Sequence, residues 1–468
     1  MTTAPTRRRL ARAAAVLAAT AVAGAAMPAA QAKPPKGDTA RISETTKGEQ
    51  LTGHSSALGL SDDGRSALFR SAATNLLPNP DTPNTYEIYV RNLRNGHVER
   101  VSVADDGSAL NASTTEASIS GDGRYVAFST GATNVVPGQP AHQSDVFVHD
   151  RRTGSTELVT AAAVPSADDQ TIRGAVHPSI SRDGRYVAYA SNRTDLVPDP
   201  NVRRGKKNIY VTDRWTGTTR LVTVGADGGP ADNHSLSPTI SADGSTVTFT
   251  SRAYNLLPRP EPAPVTDPAP DAETPDARPL LERGPRYDAV YAWNADTGTI
   301  IGASLDATGK LFGTWDARIS PDGRFALYSV PAYEVPMPPH RAKPLRVYAH
   351  ELATGKVTRI DTGLPGTTST EHSFAAAMTG DGRWVYFRST ADNLVPGDTN
   401  GVSDVFRRDL WTGRIERVSL TRDGEQSNAP AENPYVDDSG DTVVFDAEDG
   451  NLVPGDTNAA TDVFLRRL

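Results

Sequence analysis

The chain has 468 residues, no cysteine and a formal net charge of −8 at neutral pH. An acidic chain argues against non-specific binding to nucleic acid or anionic lipid, because both require a basic surface. The absence of cysteine excludes a disulfide framework and a lipid-modified cysteine anchor. The 39 glycines and 35 prolines predict many short strands joined by tight turns.

Residues 1–32 are predicted to be a signal peptide, followed by a linker at residues 33–38. An apolar run at residues 13–26 precedes the small-residue pattern Ala30-Gln31-Ala32, which is typical of a cleavage site. The basic start consists of Arg7, Arg8, Arg9 and Arg12. It also resembles a twin-arginine export signal, so both the Sec and the Tat routes stay open. An ordinary N-terminal helix is the alternative, although Pro34 and Pro35 would break it just after the run.

Export would place the mature protein outside the cytoplasm, as a secreted, extracellular or periplasmic protein. The predicted signal peptide carries four arginines and no acidic residue, so its removal takes the net charge from −8 to −12. No second long apolar segment follows, and we therefore expect no transmembrane segment in the mature chain.

A turn of the form Ser-x-Asp-Gly recurs about every sixty residues, with a degenerate seventh copy. Its glycines are Gly64, Gly123, Gly184, Gly244, Gly323, Gly382 and Gly440. The second unit reads as a strand "EASIS", the turn, a strand "RYVAFST", a long loop, a strand "DVFVHD", a Thr-Gly turn and a strand "STELVTA". Four antiparallel strands per unit, repeated around an axis, predict an all-β, seven-bladed β-propeller over residues 39–468.

The two ends of the chain indicate how the ring closes. The last unit stops at its third strand, "TDVFLRRL", whereas the segment "ARISETTKGEQL" near the N-terminus aligns with the fourth strand of the other units. We therefore expect Ala40–Ser43 to be the outer strand of the last blade, where it would protect an open sheet edge.

The repeats resemble the TolB-like, WD40-like (PD40) propeller family of bacterial proteins. The resemblance rests on "SGDGRYVAFST", "SRDGRYVAYAS" and "SPDGRFALYSV", followed by "DVFVHDRRTG" or "DVFRRDLWTG". It implies the propeller fold and leaves several functions open, since the family includes periplasmic translocation partners, peptidase-associated propellers and sugar-acid lyases. The lyases use a metal held by histidines, and this sequence lacks the cluster of histidines that such a site implies.

The two faces of the predicted propeller differ. The Asp-Gly and Thr-Gly turns are short and lie on one face, here the turn face. The longer second-to-third strand loops and the connections between blades lie on the other, here the loop face, where we expect binding. The aspartates of the Asp-Gly turns are predicted to cap their own backbone. Trp215 and Trp411 are predicted to be packing residues.

Three histidines on the predicted loop face are candidate ligand-binding residues. His54, His234 and His372 each lie nine residues before the turn aspartate of their unit, on chain that enters the innermost strand. Imidazoles converging at the mouth of the central channel would suit a metal or an anion. The alternative is three separate loop histidines, each with its own hydrogen bonds.

Two loops of similar sequence are candidate calcium sites. "NLVPGDTNGVSD" contains Asp398, Asn400 and Asp404, and "NLVPGDTNAATD" contains Asp456, Asn458 and Asp462. Alternating oxygen side chains followed by a carboxylate suit Ca²⁺, the one cofactor that the sequence suggests. Ordinary Asx turns are the alternative.

A Pro-rich insertion at about residues 259–286 interrupts the fourth unit within a second-to-third strand loop. Its composition predicts an extended segment over the loop face. A flap, a docking segment and a tolerated insertion all remain open.

Known catalytic motifs are absent from the sequence, including G-x-S-x-G, H-E-x-x-H and a phosphate-binding loop. The leading hypothesis is an exported, monomeric, non-catalytic binding or scaffold propeller that recognises a protein, peptide or cell-wall glycan at the cell envelope. The alternative is a metal-dependent polysaccharide lyase or glycosidase with its site at the channel mouth.

Overall fold

The computed structural model describes residues 37–77, 85–140, 142–164, 173–202, 205–258, 288–305, 311–314, 317–332, 343–365, 367, 371–448 and 450–468. The predicted signal peptide and the Pro-rich insertion lie outside these residues. None of the described residues forms a helix long and apolar enough to cross a membrane.

Over the described residues the chain is all-β and forms seven four-stranded antiparallel sheets, which confirms the predicted seven-bladed propeller. The strands, in chain order, are β1 Asp38–Arg41, β2 Ser55–Leu60, β3 Ser66–Ser71, β4 Glu87–Asn92, β5 Val98–Arg100, β6 Thr114–Ile119, β7 Tyr125–Thr130, β8 Asp145–Asp150, β9 Ser155–Leu158, β10 Ala175–Ile180, β11 Tyr186–Ser191, β12 Asn208–Asp213, β13 Thr218–Leu221, β14 Ser235–Ile240, β15 Thr246–Ser251, β16 Ala289–Asn294, β17 Ile300–Gly302, β18 Ala317–Ile319, β19 Phe325–Pro331, β20 Leu345–Glu351, β21 Lys356–Arg359, β22 Ser373–Met378, β23 Trp384–Ser389, β24 Asp404–Asp409, β25 Ile415–Arg417, β26 Ala431–Val436, β27 Thr442–Ala447 and β28 Asp462–Arg467.

Blades 1 to 6 each use four consecutive strands, from β2–β5 for blade 1 to β22–β25 for blade 6. Blade 7 combines β26, β27 and β28 with β1, in the order β1-β28-β27-β26. The prediction that the N-terminal strand closes the last blade is therefore confirmed. The strand begins at Asp38, two residues before the predicted start, and pairs Asp38 with Arg467 and Arg41 with Phe464.

Each blade contains one aromatic pair that stacks between its second and third strands. The ring centroids lie 5.7–6.1 Å apart in the pairs Phe69–Tyr89, Phe128–Phe147, Tyr189–Tyr210, Phe249–Tyr291, Tyr328–Tyr348, Phe387–Phe406 and Phe445–Phe464. All of these side chains except Tyr348 are buried. Large aromatic side chains contribute most of the apolar area of a core, so this repeated pair anchors every sheet.

A ring of backbone hydrogen bonds joins the inner rim of the turn face. In six of the seven first-to-second strand turns, the second turn residue donates its N–H to the carbonyl of the equivalent residue in the next blade, at 2.8–3.1 Å. The six donors are Asp62, Gly121, Arg182, Ala242, Gly380 and Asp438. The seventh position is Pro321, which has no N–H and cannot donate to Gly380. Six backbone hydrogen bonds therefore link neighbouring blades along this rim, and the seventh link, between blades 5 and 6, is missing.

Candidate functional site

The three candidate histidines occupy equivalent places and make equivalent hydrogen bonds. Each Nδ1 accepts the backbone N–H of a residue at the start of a third strand in the preceding blade. His54 accepts from Thr461 at 3.0 Å, His234 from Lys207 at 3.1 Å and His372 from Leu345 at 3.2 Å. Each histidine therefore links two adjacent blades by a hydrogen bond. The three histidines lie at three separate blade interfaces. The structure records no contact between them.

The second calcium candidate, the loop containing Asp456, is closed by an arginine from the N-terminal strand. Arg41 Nη1 lies 3.0 Å from Asp456 Oδ1 and 3.7 Å from Asp462 Oδ2, and all three side chains are largely buried. Asn458 Nδ2 donates to Asp462 Oδ2 at 3.1 Å, and Ser43 donates to Asp462 Oδ1 at 2.5 Å. A guanidinium therefore lies between the two carboxylates at the place where the sequence suggested a calcium ion.

The first candidate loop repeats this arrangement within blade 6. Arg417 lies 2.9 Å from Asp398 and 3.5 Å from Asp404. Asn400 Nδ2 donates to Asp404 Oδ2 at 2.8 Å, and Ser419 donates to Asp404 Oδ1 at 2.5 Å. Burial raises the pKa of Asp398 to about 6, and the positive charge of Arg417 opposes this rise. The two predicted calcium loops share one geometry, centred on an arginine of the fourth strand.

Blade 5 carries a related arrangement in which the carboxylate has moved to another position. Arg346 occupies the place of Asp404, and Asp361 occupies the place of the fourth-strand serine, with 3.8 Å between them. Arg359 lies 3.0 Å from Asp361 and takes the place of Arg417. Burial raises the pKa of Asp361. In both blades the fourth-strand arginine lies beside a carboxylate, which comes from the third strand in blade 6 and from the end of the fourth strand in blade 5.

Across the described residues, no group of three or more histidine, cysteine, aspartate or glutamate side chains could hold a metal ion. Many of the carboxylates instead accept hydrogen bonds from the backbone of their own turns. In the Asp-Gly turns, Asp63 Oδ1 accepts from Ser61 Oγ at 2.7 Å and from the N–H of Arg65 at 3.0 Å. Asp122, Asp183, Asp243, Asp322 and Asp381 repeat this pattern. This confirms the prediction that these aspartates cap their own turns.

An ionic cluster spans the inner rim of the turn face. Arg182 Nε lies 2.6 Å from Asp62 Oδ2, and the same guanidinium binds Asp438. The cluster crosses Gly121, whose missing side chain makes room for it, since a Cβ there would lie 2.0 Å from Asp62 Oδ2. Burial and the nearby Asp438 raise the pKa of Asp62 to about 6, against the lowering effect of Arg182. The cluster joins blades 1, 3 and 7 beside a cavity of about 410 Å³ at the channel mouth.

Trp215 and Trp411, predicted to be packing residues, each pack on an arginine, but they do so at the surface. Their exposed fractions are 65% and 71%. Each indole lies at the tip of a third-to-fourth strand turn and covers an arginine of the Asp-Gly turn. Arg185 lies 4.8 Å from the Trp215 ring, and Arg383 lies 4.6 Å from the Trp411 ring. The turn face therefore displays two large aromatic surfaces, because a Thr-Gly turn holds its leading residue outside the sheet.

A second cavity, of about 320 Å³, opens on the turn face between blades 3 and 4. It is lined by residues that include Tyr186, Arg220, Trp293, Ala295, Asp243 and Asp296. Trp293 is buried and Tyr186 is half-buried, so the cavity combines aromatic surface with charged groups. Pocket sites of small ligands have this composition. Sequence reasoning missed this cavity because it favoured the loop face.

No protein-family model matches the chain. None of the curated proteins compared with it matches in sequence. Among solved structures, oligogalacturonate lyase from Vibrio parahaemolyticus is 12% identical with a TM-score of 0.50, over 92% of this chain and 93% of that one. The β-propeller domain of the trilobed protease from Pyrococcus furiosus is 15% identical with a TM-score of 0.47, over 88% and 93%. The putative TolB from Agrobacterium tumefaciens is 18% identical with a TM-score of 0.38, over 66% and 80%. The lyase comparison shows that the chain shares the β-propeller fold.

Proposed function

We propose that the protein is an exported, non-catalytic binding propeller of the cell envelope, which recognises a protein, peptide or glycan. The observation that carries this proposal is that the candidate histidines and carboxylates are engaged in contacts that hold the fold together. His54, His234 and His372 each accept a backbone N–H, and Arg41 and Arg417 neutralise the paired carboxylates. Side chains engaged in this way hold a rigid ring on which a ligand is bound by complementary surface.

The loop face remains the proposed site of the main partner contact, since the long second-to-third strand loops lie there. The experiment is capture from a native cell-envelope extract with the purified protein, repeated after deletion of residues 259–286. The proposal predicts a specific partner that is recovered by the intact protein and lost or weakened after the deletion. Recovery of no specific partner by either form would contradict the binding function, and equal recovery by both would remove the insertion from the interface.

The alternative function, a metal-dependent polysaccharide lyase or glycosidase, requires groups that converge on a metal or a sugar. A direct test is incubation of the protein with acidic polysaccharides and a divalent metal, following unsaturated product by ultraviolet absorbance. Turnover that is lost in His234→Ala and His372→Ala would establish the enzyme function in place of the binding function.

A further inference from the structure

The cavity between blades 3 and 4 exists because one position departs from the pattern of the other blades. The first residue after each third strand donates its N–H to the residue that follows the turn glycine, as Arg151 does to Arg124, Arg214 to Arg185 and Ala295 to Ser245. This backbone bond identifies the equivalent positions. The residues in chain order are Leu93, Arg151, Arg214, Ala295, Leu352, Leu410 and Leu468. Six blades place a long side chain there, and blade 4 places a methyl group.

The groove between blades 2 and 3 shows what a filled site looks like. The guanidinium of Arg214 lies 4.6 Å from the centre of the Tyr125 ring and is 2.6 Å from Glu157 Oε1. It also donates to the carbonyl of Gly184. The Tyr125 ring carries a second guanidinium, from Arg124, at 4.5 Å. The groove between blades 1 and 2 is filled in the same way, with Arg151 bound to Glu99 at 2.6 Å and to the carbonyl of Gly123.

The groove between blades 3 and 4 has most of the same lining residues but lacks the arginine that fills the other two grooves. Tyr186 takes the place of Tyr125 and has Arg185 at 4.7 Å, and no second guanidinium is recorded over it. Gly244 takes the place of Gly184 and lines the cavity. Ala295 leaves the space between them open, and this space is the cavity of about 320 Å³.

The charge opposite the occupant is reversed in this groove. Arg220 takes the place of Glu157 and Glu99, and its recorded contacts within the described chain are the carbonyl of Ala295 at 3.3 Å and the Trp293 ring at 5.8 Å. A second guanidinium entering from outside would meet this like charge at close range. An occupant that accepts hydrogen bonds from Arg220 is therefore favoured over a copy of the missing arginine.

The remaining polar groups of the lining are acceptors. Asp213 is already paired with Arg185 at 2.6 Å, whereas Asp243, Gly244 and Asp296 also line the cavity. Burial opposes ionisation of Asp243, but hydrogen bonds from Ser241 and Ser245 outweigh it and lower the pKa of this carboxyl. These groups can accept hydrogen bonds from hydroxyl donors, and the aromatic rings of Tyr186 and Trp293 offer surface for an apolar ring face.

We propose that this groove is a carbohydrate-binding site that takes one pyranose ring of a glycan, with a preference for a sugar that carries a carboxylate. Ring C–H groups pack on Tyr186, hydroxyls donate to Asp243, Asp296 and the Gly244 carbonyl, and the carboxylate accepts from Arg220. The site lies on the turn face and is separate from the proposed partner contact on the loop face.

The test is calorimetric titration of the purified protein with methyl glucuronide and methyl glucoside, which differ only in the carboxylate. We expect both to bind, with the glucuronide about two- to fivefold tighter, the preference that an exposed ion pair supports. Ala295→Arg, which restores the side chain of blades 2 and 3, should weaken both ligands more than tenfold. Arg220→Gln should abolish the preference and retain the glucoside. Trp411→Ala, in the distant blade 6, is the matched control and should bind both ligands like the wild type.

Three results would overturn the proposal. They are the absence of binding for both glycosides, unchanged binding in Ala295→Arg, and binding of acetylarginine methylamide in place of the glycosides, which would identify the groove as a receptor for a partner's arginine. Ala295→Leu provides a second filled variant if Ala295→Arg fails to fold, because leucine stands at this position in four other blades. The capture experiment on the loop face is independent of these results.

Discussion

The loop face and the turn face both use polar residues to hold the fold together, but they differ in one groove of the turn face. On the loop face, the histidines and paired aspartates that resemble ligand sets are bound to a neighbouring strand or blade. On the turn face, the residues that recur from blade to blade also stabilise the fold. The groove between blades 3 and 4 differs, because it lacks the long side chain that fills the equivalent grooves between other blades. Groups that recur around a propeller therefore hold the ring together, and a departure from the repeat is the better indication of a ligand.

The largest expected effect is at the seam of the ring. Arg41→Met removes the cation that lies between Asp456 and Asp462, whose side chains are 1% and 0% exposed. Removing one partner of a buried ion pair leaves an uncompensated charge, and we expect a loss of about 3–5 kcal/mol in the free energy of unfolding. Denaturant unfolding measures it.

The matched control for the seam is Arg422→Met. Arg422 also reaches the N-terminal strand, at 3.3 Å from Asp38, but its side chain is 77% exposed. An exposed pair contributes less than about 1 kcal/mol. Equal losses in the two variants would contradict the role assigned to Arg41.

The second effect is a dependence of the free energy of unfolding on pH, which arises from a buried aspartate. Asp446 accepts from the N–H of Ala57 in blade 1 and from Asn433, and burial raises its pKa to about 7. The unfolded chain has the ordinary, lower pKa, so the folded protein binds the additional proton between about pH 4 and pH 7. Stability from this group is therefore present at the acidic end of that window and is lost as the pH rises towards 7.

Unfolding midpoints at pH 5, 6 and 7 test this assignment. The slope from one proton is at most about 1.4 kcal/mol per pH unit. Asp446→Asn should remove this component, whereas the exposed Asp441→Asn should leave it in place. An unchanged slope in Asp446→Asn would show that another group is responsible.

The third effect distinguishes neutralisation of the paired carboxylates by arginine from neutralisation by calcium. In the wild type, we expect the same melting temperature with Ca²⁺ and with chelator, because Arg417 already neutralises Asp398 and Asp404. In Arg417→Gln the carboxylates are released, and Ca²⁺ at ten times its dissociation constant should stabilise the fold by about 1.4 kcal/mol. A Ca²⁺-dependent rise in the wild type would support the calcium sites that the sequence suggested.

The smallest effects are expected at the histidines. His54→Ala, His234→Ala and His372→Ala should each cost about 1 kcal/mol, because each leaves one backbone N–H without its acceptor. The three losses should add, since the interfaces are separate. His97→Ala is the control, because His97 is exposed in a turn. Strong non-additivity, or a dependence on added zinc, would indicate a shared site.

The fold was predictable because its signals are local. The Asp-Gly turns and the alternating strands beside them lie within a few residues of one another, and the partial last unit indicates the closure by β1. The contacts of the paired carboxylates were harder to predict. Asp398 and Arg417 are separated by a whole hairpin, and Arg41 meets Asp456 only because the ring closes.

The candidate cavity depends on comparison between blades. Ala295 is unremarkable within its own unit. Only comparison with Arg214 and Arg151 at the equivalent position shows that a long side chain is missing there. Arg220 likewise gains significance only from comparison with Glu99 and Glu157, which occupy its position in blades 1 and 2. Exposure of Trp215 and Trp411 was missed because an indole beside a turn has the same sequence signature whether it packs inward or outward.

The most direct test of the account is the double variant Ala295→Arg, Arg220→Glu, which rebuilds the filled groove of blades 2 and 3. Its melting temperature and its affinity for methyl glucuronide should be measured together with those of both single variants. The account predicts that the double variant is more stable than the two single changes together imply, and that it no longer binds the sugar. Additive stabilities with undiminished binding would contradict the claim that an absent side chain creates the site.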